Sequence, residues 1–160
     1  MKGSDDLKEK DIESLNEIVL SGVNNVYTGA SVLIGKKEKI LYKNVFGTKD
    51  EKEKLTEEDI FDLASVTKVV GTATAVMKLI DEKQIKLEDK IGKFLEVSGP
   101  KSEVTIFELL THTSGMQAYS NLWEKYSGEE LLKHIINIQP QISPYKCYEY
   151  SCLNFITLMK

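Results

Sequence analysis

Residues 61–68 read FDLASVTK, and residues 69–77 continue as VVGTATAVM without a charged side chain. The first string places Ser65 and Lys68 three positions apart at the head of a run with helical character. On a helix, side chains at positions i and i+3 share a face, with Cβ atoms about 5–6 Å apart, so the Lys68 amine can reach the Ser65 hydroxyl. This is the arrangement of a serine nucleophile with an adjacent base.

The Ser-x-x-Lys spacing occurs again at 98–101 and at 143–146, and a proline interrupts each of those copies. Proline disfavours a continuous helix, so only the Ser65 copy has helical context. A helix without a polar stripe is normally buried on all sides, which predicts that 69–77 is a core helix. Partial burial at its mouth is expected to lower the pKa of Lys68 and favour the neutral amine. Spacing alone favours the alternative of a helix N-cap serine followed by a lysine whose side chain extends along the surface to keep its amine in water.

The composition is that of a globular protein. With 160 residues and 41% hydrophobic side chains, the chain can bury one core. The net charge of −4, with lysines and acids interspersed, argues against a nucleic-acid or anionic-lipid partner. The apolar stretches are shorter than the ~20 residues needed to span a bilayer, and Met1–Asp6 has no apolar signal core. We therefore expect a cytoplasmic chain or one whose targeting segment lies outside this sequence.

Cys147 and Cys152 are the two cysteines of the chain, and neither is close in sequence to a histidine or a second cysteine pair. This argues against a zinc site, and no metal or cofactor is expected. Free thiols in the core are the expected state, with a strained local disulfide as the alternative. His112 and His134 give no metal-binding pattern, and His134 is expected at the surface or hydrogen-bonded in the core.

Hydrophobic periodicity and turn residues predict the remaining elements. They are a helix over 11–20, a hairpin of strands 30–34 and 40–46, a capping-box helix from Thr105 to Gly115, and helices over 127–138 and 150–160.

Three segments in this order, FDLASVTK at 61–68, LTHTSG at 110–115 and Tyr150-Ser151, resemble the serine β-lactamase and penicillin-binding-protein family. The resemblance is closest to its class C β-lactamase-like and esterase branch and covers essentially the whole chain. It implies an α+β, β-lactamase/transpeptidase-like fold, in which an antiparallel sheet packs with helices beside a helical subdomain. Residues 1–160 then form the N-terminal part of such a domain. Residues 1–60 hold its first helix and hairpin, and 61–160 hold the Ser-x-x-Lys helix and the helical subdomain.

The same resemblance implies a serine acyl-transfer hydrolase that works through a covalent acyl-enzyme. Ser65 is the implied nucleophile, Lys68 shares or receives its proton, and Tyr150 protonates the leaving group. The implied substrates are β-lactams, D-alanyl peptides or small esters, and no cofactor is implied. The histidine of the LTHTSG motif has an architectural role, so His112 is given no catalytic one.

The chain departs from the family pattern at Cys152, where the tyrosine motif usually has an asparagine that binds substrate. A thiol is a weak donor and a weak acceptor, so it replaces a carboxamide poorly. Asn154 lies nearby, but two residues turn a helix by about 200°, so its side chain is expected to point elsewhere. Cys152 as a second nucleophile is a further, minor alternative.

A second departure is that no Lys-Thr-Gly or His-x-Gly tripeptide occurs in the chain, although a strand with this motif lines the family's cleft. We therefore expect a truncated form with an incomplete cleft, missing C-terminal strands and weak or no activity alone. An open sheet edge favours self-association. The alternatives are a catalytically inactive binding or scaffold protein of the same fold, and a plain α+β domain in which the motifs occur by chance.

Overall fold

A computed structural model describes residues 7–50, 52–144 and 146–160. The expectation about a signal segment in Met1–Asp6 lies outside the described residues. The chain divides into two compact units, Met1–Asp62 and Leu63–Lys160, which are described in turn.

In its described residues, the first unit contains one helix and one hairpin, as predicted. Helix α1 spans Glu9–Gly22, and strands β1, Gly29–Lys36, and β2, Lys39–Gly47, pair antiparallel. The turn between the strands is two residues long because Lys37 adopts a positive φ of 53°.

Two polar side chains of β2 hold α1 against the hairpin. The Tyr42 hydroxyl donates to Asn16 Oδ1 at 2.6 Å, and Asn44 Nδ2 donates to the same oxygen at 3.2 Å. Tyr42 is buried, so its hydroxyl has the partner that a buried polar group needs. Ile18 and Leu20 of α1 remain 69% and 54% exposed, so these hydrogen bonds, rather than a closed apolar contact, hold the helix against the hairpin.

The second unit is helical in its described part. It opens with a 3₁₀ turn, a π-helical segment and α2, and it continues through short 3₁₀ turns to three more α-helices. Their bounds are Ala64–Val66 (3₁₀), Lys68–Ala73 (π), Thr74–Asp81 (α2), Ile106–Leu110 (α3), Gly128–Ile136 (α4) and Cys152–Leu158 (α5).

Helix α5 lies at the centre of this unit, where it packs against α3, α4 and the π-helical segment. Leu153 of α5 joins Met116 and Ile135 in one apolar cluster, and Leu158 packs on a second cluster around Leu109. Each such side chain contributes about 1.5–3 kcal/mol by leaving water. The position of α5 is therefore fixed by packing from several directions.

The expectation that 69–77 is buried on all sides is wrong. Val69, Val70 and Met77 are 63%, 57% and 67% exposed, whereas Val76 is buried. Within the second unit, α5 packs against one side of this segment. An apolar composition does not ensure that another element covers the opposite side.

The end of α3 also differs from the prediction. The capping box is confirmed, because Thr105 Oγ1 accepts from the Glu108 amide at 3.2 Å and the Glu108 carboxylate accepts from the Thr105 amide at 2.7 Å. The helix ends at Leu110 rather than at Gly115, since His112 adopts the left-handed region with φ 58° and breaks the helical hydrogen bonding.

Two features of the structure favour glycine at position 115. Its φ is 75°, and a Cβ at this position would collide with the Ile142 backbone oxygen. The chain after the LTHTSG motif is therefore held close to the segment that precedes Tyr150.

Candidate active site

Ser65 and Lys68 meet on the 3₁₀ turn and the first residue of the π-helical segment. The Lys68 Nζ donates to Ser65 Oγ at 3.1 Å. In 3₁₀ geometry the side chains at i and i+3 eclipse, which places the amine directly beside the hydroxyl. Ser65 is exposed and can be reached by a substrate.

Tyr150 joins this pair from an extended segment that precedes α5. Its hydrogen bond with Ser65, and then its bond with Lys68, lower the pKa of the Tyr150 phenol. The Lys68 Nζ lies 5.1 Å from the centroid of the Tyr150 ring. Three side chains with acid–base chemistry therefore form one cluster. The predicted helix over 150–160 begins only at Cys152, which leaves Tyr150 outside it.

The expected lowering of the Lys68 pKa is wrong. Burial is the strongest single influence and does lower it, but hydrogen bonding to Tyr150, the charges of Cys152 and Tyr150, and hydrogen bonding to Cys152 together raise the pKa of Lys68 above its ordinary value. Opposite charge close to an ammonium favours the charged form. Lys68 is therefore a cation at neutral pH.

Cys152 occupies the first position of α5 and is partly exposed. Its thiol lies close enough to Lys68 to help raise the pKa of that amine, and it does so from the position at which the family's tyrosine motif usually has an asparagine. Cys147 and Cys152 are both free thiols, and each is partly exposed rather than packed in the core.

The segment around Tyr150 is held by the turn that contains the LTHTSG motif. Ser151 N donates to His112 Nδ1 at 3.0 Å, and Ser151 Oγ donates to the Gln117 carbonyl at 2.6 Å. The Cys152 amide donates to the Ala118 carbonyl at 2.8 Å. Sequence reasoning treated the motif as a local turn and missed these contacts. The only signal in the sequence that placed this motif near Tyr150 is that both belong to the three segments shared with the family.

Asn154, the third residue of α5, is fully buried. Its Oδ1 accepts from Ser114 Oγ at 2.7 Å, and its Nδ2 lies 3.5 Å from His112 Nδ1. The carboxamide therefore serves the LTHTSG turn, in agreement with the expectation that Asn154 does not replace the carboxamide missing at Cys152.

The remaining candidates lie away from the cluster. His134 is exposed and stacks on Tyr126 with a centroid separation of 3.8 Å. Within residues 7–50, 52–144 and 146–160, no three His, Cys, Asp or Glu side chains are grouped as a metal site. No helix in the same described ranges has the length and apolar character to cross a membrane.

A family model described as Beta-lactamase matches residues 15–160. The chain belongs to the beta-lactamase family. Its curated relatives include Esterase EstB of Burkholderia gladioli, which is 33% identical over 96 residues covering 55% of this chain and 24% of the esterase. Penicillin-binding protein 4* of Bacillus subtilis (strain 168) is 28% identical over 162 residues covering 94% of this chain and 35% of that protein.

The fold is likewise that of the family. A putative beta-lactamase from Bacteroides dorei DSM 17855 superimposes with a TM-score of 0.74 at 19% identity, covering 92% of this chain and 44% of that one. The α+β, β-lactamase/transpeptidase-like fold expected from the sequence is therefore confirmed. The chain spans about a quarter to a third of the length of the two curated relatives.

Proposed function

We propose that this beta-lactamase family member is a serine acyl-transfer hydrolase in which Ser65 forms a covalent acyl-enzyme. In this proposal Tyr150 receives the proton of the Ser65 hydroxyl, and Lys68 acts as a cation that stabilises the Tyr150 phenolate. Cys152 contacts the same lysine and lies where substrate would pass it.

The observation that supports the proposal is the convergence of two side chains, those of Lys68 and Tyr150, on the Ser65 hydroxyl. The Lys68 Nζ is 3.1 Å from Ser65 Oγ, and Tyr150 is hydrogen-bonded to both residues. A raised pKa at Lys68 and a lowered pKa at Tyr150 favour the ammonium and the phenolate. These directions make Tyr150 rather than Lys68 the better proton acceptor, because a base must lose its proton before it can accept one.

In the proposed acylation, the proton of Ser65 passes through Tyr150 to the leaving group. Ser65 Oγ forms a bond to the substrate carbonyl carbon while its proton passes to the Tyr150 oxygen. The carbonyl carbon then loses its bond to the leaving oxygen or nitrogen, which takes that proton from Tyr150. A water later attacks the acyl carbon, and the Ser65 hydroxyl is restored as the carboxylic acid departs.

The proposed substrates are carbonyl compounds with an ester or amide leaving group. EstB is named as an esterase and the Bacillus protein as a penicillin-binding protein. We extend both to this chain as candidate classes, namely small esters, β-lactams and D-alanyl peptides. Because the chain spans a minority of each relative's length, turnover by the whole protein is a proposal separate from acylation of Ser65.

Covalent labelling tests the proposal. The purified 160-residue chain is incubated with a fluorescent penicillin and, separately, with a fluorophosphonate ester, and adducts are measured by gel fluorescence and intact mass. We expect one adduct per chain on Ser65, because that hydroxyl is exposed and bonded to both partners. Labelling by the penicillin supports the β-lactam class, whereas labelling by the fluorophosphonate alone shows that Ser65 is an activated nucleophile.

Ser65→Ala should abolish the adduct, with a rate loss on the order of 10⁴-fold or more, as removal of a nucleophile does in other acyl-transfer sites. Ser143→Ala is the matched control, since Ser143 is exposed and belongs to a proline-interrupted Ser-x-x-Lys copy. Labelling that survives Ser65→Ala contradicts the assignment. A folded chain that neither probe labels favours the alternative of a catalytically inactive scaffold.

Two further expectations stay predictions. We propose that 1–60 and 61–160 are parts of one β-lactamase-like domain, and that the open hairpin edge allows the chain to self-associate. Light scattering on the purified chain measures the second, and a monomer at all concentrations contradicts it.

A further inference from the structure

We propose that His112 is a positioning residue that holds Tyr150 against Ser65 and Lys68, using a neutral imidazole whose Nδ1 accepts a hydrogen bond. This deepens the function proposed above and rests on it for the role of Tyr150.

His112 bonds to the backbone on both sides of Tyr150. The Glu149 amide donates to the His112 carbonyl at 3.1 Å, and the Ser151 amide donates to His112 Nδ1 at 3.0 Å. One residue therefore accepts hydrogen bonds from the backbone amides of the residues immediately before and after the tyrosine. Such a pair of bonds restricts the backbone rotations that would carry the phenol away from Ser65.

The imidazole also contacts the tyrosine ring itself. The two ring centroids are 4.6 Å apart with an interplanar angle of 39°, and Phe155 packs on the imidazole at 5.2 Å. Phe155 is buried in α5, so the imidazole is supported by the helix that packing fixes most firmly. The position of the phenol is thereby coupled to the core through His112.

The backbone conformation of His112 allows its carbonyl and its ring to face the Tyr150 segment at the same time. Its φ of 58° lies in the left-handed region, which is unfavourable for a residue that carries a side chain. Histidine, asparagine and aspartate are the residues found there more often than others. The LTHTSG turn adopts this unfavourable conformation, and in it both the carbonyl and the ring of His112 face the Tyr150 segment.

The geometry also assigns the protonation state. An Nδ1 that accepts the Ser151 amide hydrogen carries no proton, so the neutral ring carries its proton on Nε2. Burial, and then the nearby charge of Lys68, lower the pKa of His112 and keep it neutral at pH 7. The other titratable groups against the ring are Tyr148, at 6.0 Å, and Tyr150.

Two substitutions at His112 separate positioning from general stability. His112→Ala removes the ring and the acceptor, and we expect the rate of Ser65 acylation to fall about 10²-fold, the loss expected from a small misplacement of a reacting group. His112→Asn keeps an acceptor oxygen near the Nδ1 position and tolerates positive φ, so it should recover most of that rate. His134→Ala and His134→Asn are the matched controls, because His134 is exposed and outside the cluster, and both should acylate at the wild-type rate.

A second measurement does not depend on activity. Nitrogen NMR of the His112 ring should show the Nε2–H tautomer at pH 7, and the Ser151 amide resonance should titrate together with the ring. In His112→Asn the Ser151 amide should no longer titrate in that range. If neither probe labels the wild-type chain, the proposed function is contradicted. The NMR measurement still shows whether His112 Nδ1 accepts the Ser151 amide hydrogen.

Each outcome decides the proposal. An Nδ1–H tautomer at pH 7, an His112→Ala chain that acylates at the wild-type rate, or an His112→Asn chain as slow as His112→Ala overturns it. If His112→Ala does not fold, the His112→Asn rate and the tautomer decide.

Discussion

The two halves of the candidate site are built in different ways. Ser65 and Lys68 lie three residues apart on an exposed segment whose flanking valines are more than half exposed. Tyr150 reaches them from a segment held by the LTHTSG turn and by α5, where Ser151 and Asn154 are fully buried. The first half is a product of local chain geometry, and the second depends on long-range contacts.

This difference predicts where substitutions should act. A change in the local half should alter chemistry and leave stability nearly unchanged, because exposed side chains contribute little to folding. A change in the long-range half should alter stability first, because it leaves buried polar groups without partners. The four predictions below test that separation, from the largest expected effect to the smallest.

Lys68→Ala should reduce the rate of Ser65 acylation roughly 10²–10⁴-fold, because Tyr150 loses the cation that allows it to act as a general base. The free energy of unfolding should change by no more than about 0.5 kcal/mol. Labelling kinetics and urea unfolding measure the two effects. Lys78→Ala is the control, since Lys78 is exposed and paired with Glu82 on α2. A large loss of stability in Lys68→Ala would break the distinction between the halves.

Lys101 tests the packing around α5. It is fully buried, and its Nζ donates to Thr157 Oγ1 at 3.2 Å and to the Ile135 carbonyl at 3.4 Å. Burial lowers its pKa to about 8, from 10.5 for the unperturbed group. Between these two pH values the unfolded chain binds more protons than the folded one, so stability should rise with pH across this window.

The rise should amount to at most about 3 kcal/mol, since one pKa unit corresponds to about 1.4 kcal/mol. Lys101→Met should remove it and should be more stable than wild type at pH 7, where the buried charge is fully present. Urea unfolding at pH 7 and pH 10 measures both effects, with Lys78→Met as the exposed control. A wild-type stability that falls over this window in step with the mutant would contradict the assignment.

Asn154→Ala should destabilise the fold by about 1–3 kcal/mol, because the buried Ser114 hydroxyl loses its acceptor. Acylation should slow as well, since the same network adjoins His112. Thermal or urea unfolding measures the first effect. Asn121→Ala, at an exposed position, should stay within about 0.5 kcal/mol of wild type. Wild-type stability in Asn154→Ala would show that the long-range half is not held as described.

The smallest expected effect concerns the pKa of Lys68, which depends on Tyr150 and Cys152. Tyr150→Phe should lower the pKa of Lys68, and Cys152→Ala should lower it less, because Tyr150 contributes the stronger hydrogen bond. The titration of the Lys68 side chain by carbon NMR measures both shifts, with Lys78 as the internal reference. A Lys68 pKa that rises in either variant would contradict this account.

The predictions from sequence succeeded where the cause is local. The hairpin of β1 and β2 and the capping box of Thr105 and Glu108 depend on neighbouring residues, and both are confirmed. The burial of 69–77 was predicted wrongly because exposure depends on which elements pack against a segment. The end of α3 was predicted five residues late, because the left-handed conformation of His112 is sustained by contacts with the distant Tyr150 segment.

The sequence by itself placed Ser65 and Lys68 within reach of each other, since side chains at positions i and i+3 share one face of a helix. Three ordered motifs also identified the family. Only the tertiary structure decided that Tyr150 bonds to both residues, that His112 holds it there, and that the pKa of Lys68 is raised rather than lowered. The physical reason is that a charge state depends on every group nearby in space, and those groups come from segments that only the packing of α5 brings together.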